Sequence, residues 1–90
     1  MKAAKKIPTW HAYILRCADG SLYTGITTNL LRRKTMHDTG KASKYTRSRL
    51  PVEMVWRERC KNESAARKLE IKIKKMSRAS KLALIKPEAG

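Results

Sequence analysis

Acidic residues are scarce in this chain. Seven Asp and Glu stand against 22 Lys and Arg, which leaves a formal net charge of +15 over 90 residues. The excess is spread along the whole sequence, so the chain repels itself and attracts polyanions. Nucleic acid fits as the partner, and an anionic membrane surface or a ribosome would satisfy the same charge. Cysteine is equally sparse: Cys17 and Cys60 lie far apart, with no CxxC and no paired-histidine motif, which argues against structural zinc. Apolar runs are short, and none approaches the ~20 residues of a membrane span, so no membrane insertion is expected. The N-terminal MKAAKK is basic and lacks the apolar segment of a secretory signal. Both thiols are therefore expected to be reduced and half-buried in a cytoplasmic protein. No protein partner and no oligomeric state is legible.

Enough remains for a folded unit. Hydrophobic residues make up 41% of the chain, which excludes disorder as the reason for the charge. A chain this short buries only about 60 to 65% of the surface its unfolded form exposes, so a large enclosed pocket is not expected. With no repeat and no linker, one domain should occupy residues 10 to 86, between a basic N-terminal tail at 1 to 9 and a C-terminal tail at 87 to 90.

Residues 10 to 17, WHAYILRC, and the shorter run from Leu22 to Ile26 read as two strands. Asp19-Gly20 between them supplies the positive φ angles of a hairpin turn. With two central loop residues and their flanks, residue 17 faces 22 and 13 faces 26. Asn29 caps a helix from Leu30 to about Thr39, closed by Gly40, with Leu30, Met36 and Leu31 on its buried side. KASKYTRSRLP has no apolar period and reads as an exposed basic loop. Val52 to Cys60 alternates as a third strand. Asn62 caps a helix from Glu63 to Met76 with Ala66, Leu69, Ile73 and Met76 as its apolar stripe. Ser77 caps a last helix carrying Leu82 and Ile85 and ended by Pro87. The expected class is α+β, a small three-stranded antiparallel sheet covered by helices in the order β-β-α-β-α-α.

A few polar residues sit on these elements in a suggestive order. Tyr13 and Tyr23 fall near each other across the hairpin, where strand tyrosines ordinarily cover the sheet and wet only their hydroxyls. Gly25 would let a ligand backbone approach closely. Arg33 and His37 are four apart and share a helix face; such an arginine is often just solvated, yet its planar guanidinium is also suited to clamping phosphate oxygens. Glu70, among Arg67, Lys68, Lys72, Lys74 and Lys75, sits at the edge of the apolar stripe. It suits an i,i+4 pair with Lys74, and equally a single carboxylate holding one Mg²⁺ with water and phosphate. Lys41, Lys44, Arg47 and Arg49 are placed to meet phosphates.

Taken in order, Tyr13, Tyr23-Thr24-Gly25, Arg33 with His37, and a later helical glutamate resemble the GIY-YIG nuclease domain, over residues 10 to about 85. The likeness is greatest to its small single-domain branch. His11-Ala12-Tyr13 stands where the name has Gly-Ile-Tyr, Thr24 replaces Ile, and no Asn follows Glu70. The resemblance implies a metal-dependent endonuclease that hydrolyses phosphodiester bonds, on DNA before RNA. It implies that Tyr13 activates water, Arg33 stabilises the transition state, Glu70 binds Mg²⁺ (or Mn²⁺), and Tyr23 with His37 positions phosphate and proton. A tyrosine of pKa near 10 is ionised only about one time in a thousand at pH 7. Surrounding cations would favour tyrosinate, while His37 already titrates near neutrality and is an equal candidate for the base. Two other readings keep the same charge: a nucleic-acid-binding module of the same fold that cleaves weakly or not at all, to which the absent Asn points, and a basic accessory of a larger assembly.

Overall fold

The computed structural model describes residues 8–85. Both expected tails and the stop at Pro87 therefore fall wholly or mainly outside the described residues. Strand β1 (Trp10–Cys17) is followed by β2 (Leu22–Thr27), helix α1 (Leu30–Asp38), a single-turn helix α2 (Lys44–Arg47), β3 (Val52–Cys60), α3 (Glu63–Lys74) and α4 (Arg78–Ile85). The three strands form one antiparallel sheet in the order β2-β1-β3. The α+β class and the expected element order hold, with α2 added.

The β1–β2 register differs from expectation by one residue. Tyr13 faces Gly25 and Arg16 faces Leu22. The turn is the reason: Gly20 N–H donates to the Cys17 carbonyl and Cys17 N–H to that of Ser21, both at 2.9 Å. Three residues thus fill the loop, and Gly20 takes the left-handed position at φ +85°. Asp19 fastens the turn by accepting from the backbone and hydroxyl of Ser21 at 3.0 and 2.6 Å.

Residues paired across strands share a face. On one face Tyr13, Leu15, Cys17 and Val52 form a buried cluster, with Tyr23, Leu30, Leu50 and Met54 packed against it. On the other, Ile14 pairs with Trp56 and Ala12 with Glu58, and Trp56 and Glu58 line a cavity with Leu69, Ile73 and Met76. A register shift opposite Ile14 and Leu15 leaves Val55 as the extra residue on β3, which is why Met54 and Trp56 reach opposite faces. Helices α1 and α2 cover the first face; α3 and α4 cover the second.

The caps are those the sequence implies. Asn29 Oδ1 accepts from Arg32 N at 2.9 Å, Asn62 Oδ1 from Ala65 N at 2.8 Å, and Ser77 Oγ from Ser80 N at 3.1 Å. Gly40 adopts φ +75° after α1. Several packing expectations change. Leu31 is 79% exposed, and the buried residue of α1 is His37. Helix α3 ends at Lys74, so Met76 lies just beyond it. Helix α4 buries nothing fully, and Leu82 is exposed. Both cysteines are free; Cys17 is fully buried and Cys60 half-buried. They sit at opposite ends of the β1–β3 pair, opposite Val52 and Trp10, so no bridge between them is possible.

Candidate active site

Tyr13 projects from the central strand over its direct partner Gly25. A methyl group built on Gly25 would stand 2.5 Å from Tyr13 Oη and 2.7 Å from Cζ. Close approach does explain this glycine, but the group that approaches is the ring of Tyr13, where the sequence suggested a ligand backbone. Any larger residue at position 25 would push the ring aside.

The ring then reaches α1, where Tyr13 Oη lies 3.0 Å from His37 Nε2. The Tyr23 ring meets the same imidazole edge-on, with centroids 5.2 Å apart. His37 is only 1% exposed. Its Nδ1 lies 2.8 Å from Thr46 Oγ1 on α2. The segment expected to be an exposed loop therefore supplies a fully buried partner to the site. Tyr45 of α2 stacks on Tyr23 at 5.9 Å, and the Arg49 guanidinium lies 3.9 Å over the Tyr45 ring.

Tyr13, Tyr23, Gly25, Arg33 and Glu70 line one cleft of about 310 Å³ at the β2 side of the sheet. Four elements thus deliver one candidate side chain each: β1 gives Tyr13, β2 Tyr23, α1 Arg33 and α3 Glu70. His37 stands behind the two tyrosines. Its route to the cleft is the Tyr13 hydroxyl. Arg67 and Trp10 also line the cleft, and the sequence reading missed both as site residues. Arg67 was legible in principle, being one turn before Glu70 and so on the same face. It is held by Glu63, with Nη2 to Oε2 at 2.7 Å. Thr46 carried no signal, because a single-turn helix is too short to show a period.

Electrostatics correct one expectation. Burial outweighs the cations around Tyr13 and, with Tyr23 and Glu70 nearby, drives its pKa well above the ordinary value near 10; only Arg33 opposes this. Burial thus favours the neutral phenol, against the pull toward tyrosinate that the sequence's cations suggested. His37 is also kept uncharged: burial and then Arg33 lower its pKa, with Lys34 adding to the shift and Asp38 opposing it. The pair is thus a neutral phenol hydrogen-bonded to a neutral imidazole.

Glu70 is half-buried, and its Oε2 lies 3.3 Å from Lys74 Nζ, the i,i+4 pair its position suggests. Among the described residues no three His, Cys, Asp or Glu come together as a metal cage. One carboxylate beside an open cleft suits a hard divalent ion that keeps water and substrate oxygens in its shell. Of the basic loop, Lys41, Lys44 and Arg47 are exposed. Arg49 is occupied, donating from Nε to Asp19 Oδ2 at 3.0 Å and from Nη1 to the Tyr45 carbonyl at 2.8 Å. No helix among the described residues is long and apolar enough to cross a membrane.

Comparison with known proteins gives a consistent picture. The GIY-YIG catalytic domain model matches residues 9–83. A UPF0213 protein of Desulfotalea psychrophila is 52% identical over 80 residues, covering 88% of this chain and 73% of its own. Another, from Natronomonas pharaonis, is 51% identical over 80 residues, covering 89% and 94%. The solution NMR structure of a UPF0213 protein from Bacillus halodurans is 39% identical with a TM-score of 0.58, covering 91% of this chain and 87% of that one. A second NMR structure, from E. faecalis, is 39% identical with a TM-score of 0.60, covering 96% and 88%.

Proposed function

This chain belongs to the GIY-YIG catalytic-domain family, and on that premise we propose that it is a metal-dependent endonuclease hydrolysing phosphodiester bonds of nucleic acid, DNA before RNA. The observation that carries this reading is the convergence of Tyr13, Tyr23, Arg33 and Glu70 on one open cleft with His37 directly behind Tyr13.

Phosphodiester hydrolysis needs an activated water, positive charge where the phosphoryl oxygens gain negative charge, and relief for the departing oxygen. Tyr13 serves as the base without ever becoming free tyrosinate. Water in the cleft gives a proton to Tyr13 Oη as the phenolic proton passes to His37 Nε2, and the resulting hydroxide attacks phosphorus. The bond to the leaving oxygen breaks, and solvent in the open cleft supplies that oxygen's proton. The burial that keeps His37 neutral makes it ready to accept and makes its imidazolium short-lived. Arg33 faces the cleft from α1 and stabilises the phosphoryl charge. Tyr23 packs on the imidazole and fixes its plane. Glu70 would hold the divalent ion, whose chemistry when bound is to neutralise phosphate charge and stabilise the leaving oxygen. The net charge of +15 draws in the polyanion, and exposed Lys41, Lys44 and Arg47 are suited to phosphates outside the cleft. Arg49 serves the fold first.

The absence of any Asn after Glu70 favours a second reading, a binding module that cleaves weakly or not at all. One assay separates them: labelled DNA and RNA, as single strands, flaps and junctions, incubated with the parent and with Glu70→Gln in Mg²⁺, Mn²⁺ or EDTA. The nuclease reading expects parent cleavage that EDTA abolishes, and a Glu70→Gln protein that binds at least as well yet does not cut. Binding without cutting on every substrate would establish the module.

A further inference from the structure

We propose that Thr46 is a positioning residue that fixes His37 in the tautomer carrying its proton on Nδ1, so that Nε2 is free to receive the proton of Tyr13; the catalytic consequence rests on the nuclease reading above. Thr46 is 0% exposed. A valine would fill the same space, so a hydroxyl desolvated at this position has to be accounted for by its hydrogen bonds. It has two partners: Oγ1 lies 2.8 Å from His37 Nδ1 and 3.4 Å from the Ser43 carbonyl.

Two proton arrangements are compatible with these atoms. In the first, Tyr13 O–H donates to Nε2, Nδ1–H donates to Thr46 Oγ1, and the Thr46 hydroxyl donates to the Ser43 carbonyl, which can only accept. Every proton has an acceptor, and the Tyr13 oxygen offers a lone pair to the cleft. In the second, Thr46 donates to Nδ1 and Nε2–H donates to Tyr13. The Ser43 carbonyl then keeps only its bond from Arg47 N–H at 3.0 Å, and Tyr13 must aim its own O–H into the cleft, a donor where the reaction needs a base. The hydroxyl's second contact to Ser43 and an acceptor for the Tyr13 proton inside the buried chain together favour the first.

The support for Thr46 is itself fastened. Ser43 Oγ caps α2 by accepting from Tyr45 N at 3.1 Å, and Tyr45 is clasped between its stack on Tyr23 and the Arg49 guanidinium. Arg49 is tied in turn to Asp19 in the hairpin turn. The short helix is thereby held to the hairpin that carries both tyrosines.

The test is the ring-nitrogen ¹⁵N shifts of His37 in labelled parent, Thr46→Ser and Thr46→Val proteins, with a His11→Gln protein to assign the two imidazoles. Single-turnover cleavage and nucleic-acid affinity are measured alongside. Parent and Thr46→Ser are expected to show a protonated Nδ1 and a bare Nε2. Thr46→Val should move toward Nε2–H and cleave about ten- to a hundredfold more slowly, the range for groups that orient a functional histidine through its second nitrogen, with affinity unchanged. A parent in which Nε2 carries the proton overturns the proposal, whether or not Thr46→Val folds. So does a folded Thr46→Val protein that keeps Nδ1–H. The nitrogen shifts decide the tautomer even if the parent never cleaves, so a failure of the nuclease reading shows in the rates alone.

Discussion

On the α3 face of the sheet, Ala12 and Ile14 of β1 and Ala66 and Ile73 of α3 are buried, and the polar side chain buried on that face is Thr24. On the α1 face the apolar cluster of Leu15, Cys17 and Val52 shares its depth with Tyr13, His37, Thr46 and Thr27, and Tyr13, His37 and Thr46 form a hydrogen-bonded chain. An apolar core of the first kind needs only shape and area. A polar core of the second kind has every partner's removal leave a desolvated group behind, so its retention in so small a domain points to chemistry. The α3 face is packing with Glu70 at its edge; the α1 face joins packing to the polar chain behind the candidate site.

Substitutions on the two faces should therefore fail differently. The largest effect belongs to Arg33→Ala, which is expected to lower single-turnover cleavage by about two to four powers of ten, the scale of a lost transition-state charge contact. Its melting temperature should stay within a few degrees of the parent, because Arg33 lines the cleft and α1 does not need it for packing. Ile73→Ala, on the apolar face, should do the reverse. It is expected to cost about 2–5 kcal/mol in urea unfolding while the rate per folded molecule stays at the parent value. A comparable loss of rate would break the division between the faces.

Gly25→Ala tests the point where packing and chemistry meet. The added methyl must displace the Tyr13 ring, so overpacking of about 1–3 kcal/mol is expected, together with slower cleavage. Normal stability and rate would mean that the ring position is not tightly held. The smallest effect is the pH dependence of stability. The folded-state pKa of His37 is lowered, so the unfolded chain takes up the proton first as pH falls below about 6.5. The stability His37 contributes is present above that pH and is lost on acidification. His37→Gln should flatten this part of a melting-temperature profile between pH 7.5 and 5.5; an unchanged slope would place the titration elsewhere.

What could be read from the sequence was local or periodic. Asn29, Asn62 and Ser77 announce their helices through cap chemistry, Asp19-Gly20 announces the turn, and the ordered tyrosines, arginine and glutamate announce the cleft. The hairpin register was not legible, because it depends on whether the turn holds two residues or three, and Gly20 accommodates either. Nor was α2. Four residues cannot display a helical period, and nothing in KYTR says that Thr46 points inward to an imidazole nine residues earlier. The direction of the Tyr13 pKa escaped for a related reason. Charge is visible in a sequence, whereas burial, which dominates here, comes only from what the fold places over the ring.

The central claim is that the buried phenol of Tyr13 is the group that takes the water's proton. Single-turnover cleavage by Tyr13→Phe against the parent, in Mg²⁺ and with melting temperatures measured alongside, tests it most directly. That variant removes one oxygen and keeps the ring that fills the space over Gly25. The account predicts a loss of about a hundredfold or more in a protein that still folds and binds nucleic acid as well, with stability lower by the cost of an unpaired His37 Nε2, about 1–3 kcal/mol. A Tyr13→Phe protein that cleaves at close to the parent rate would contradict it.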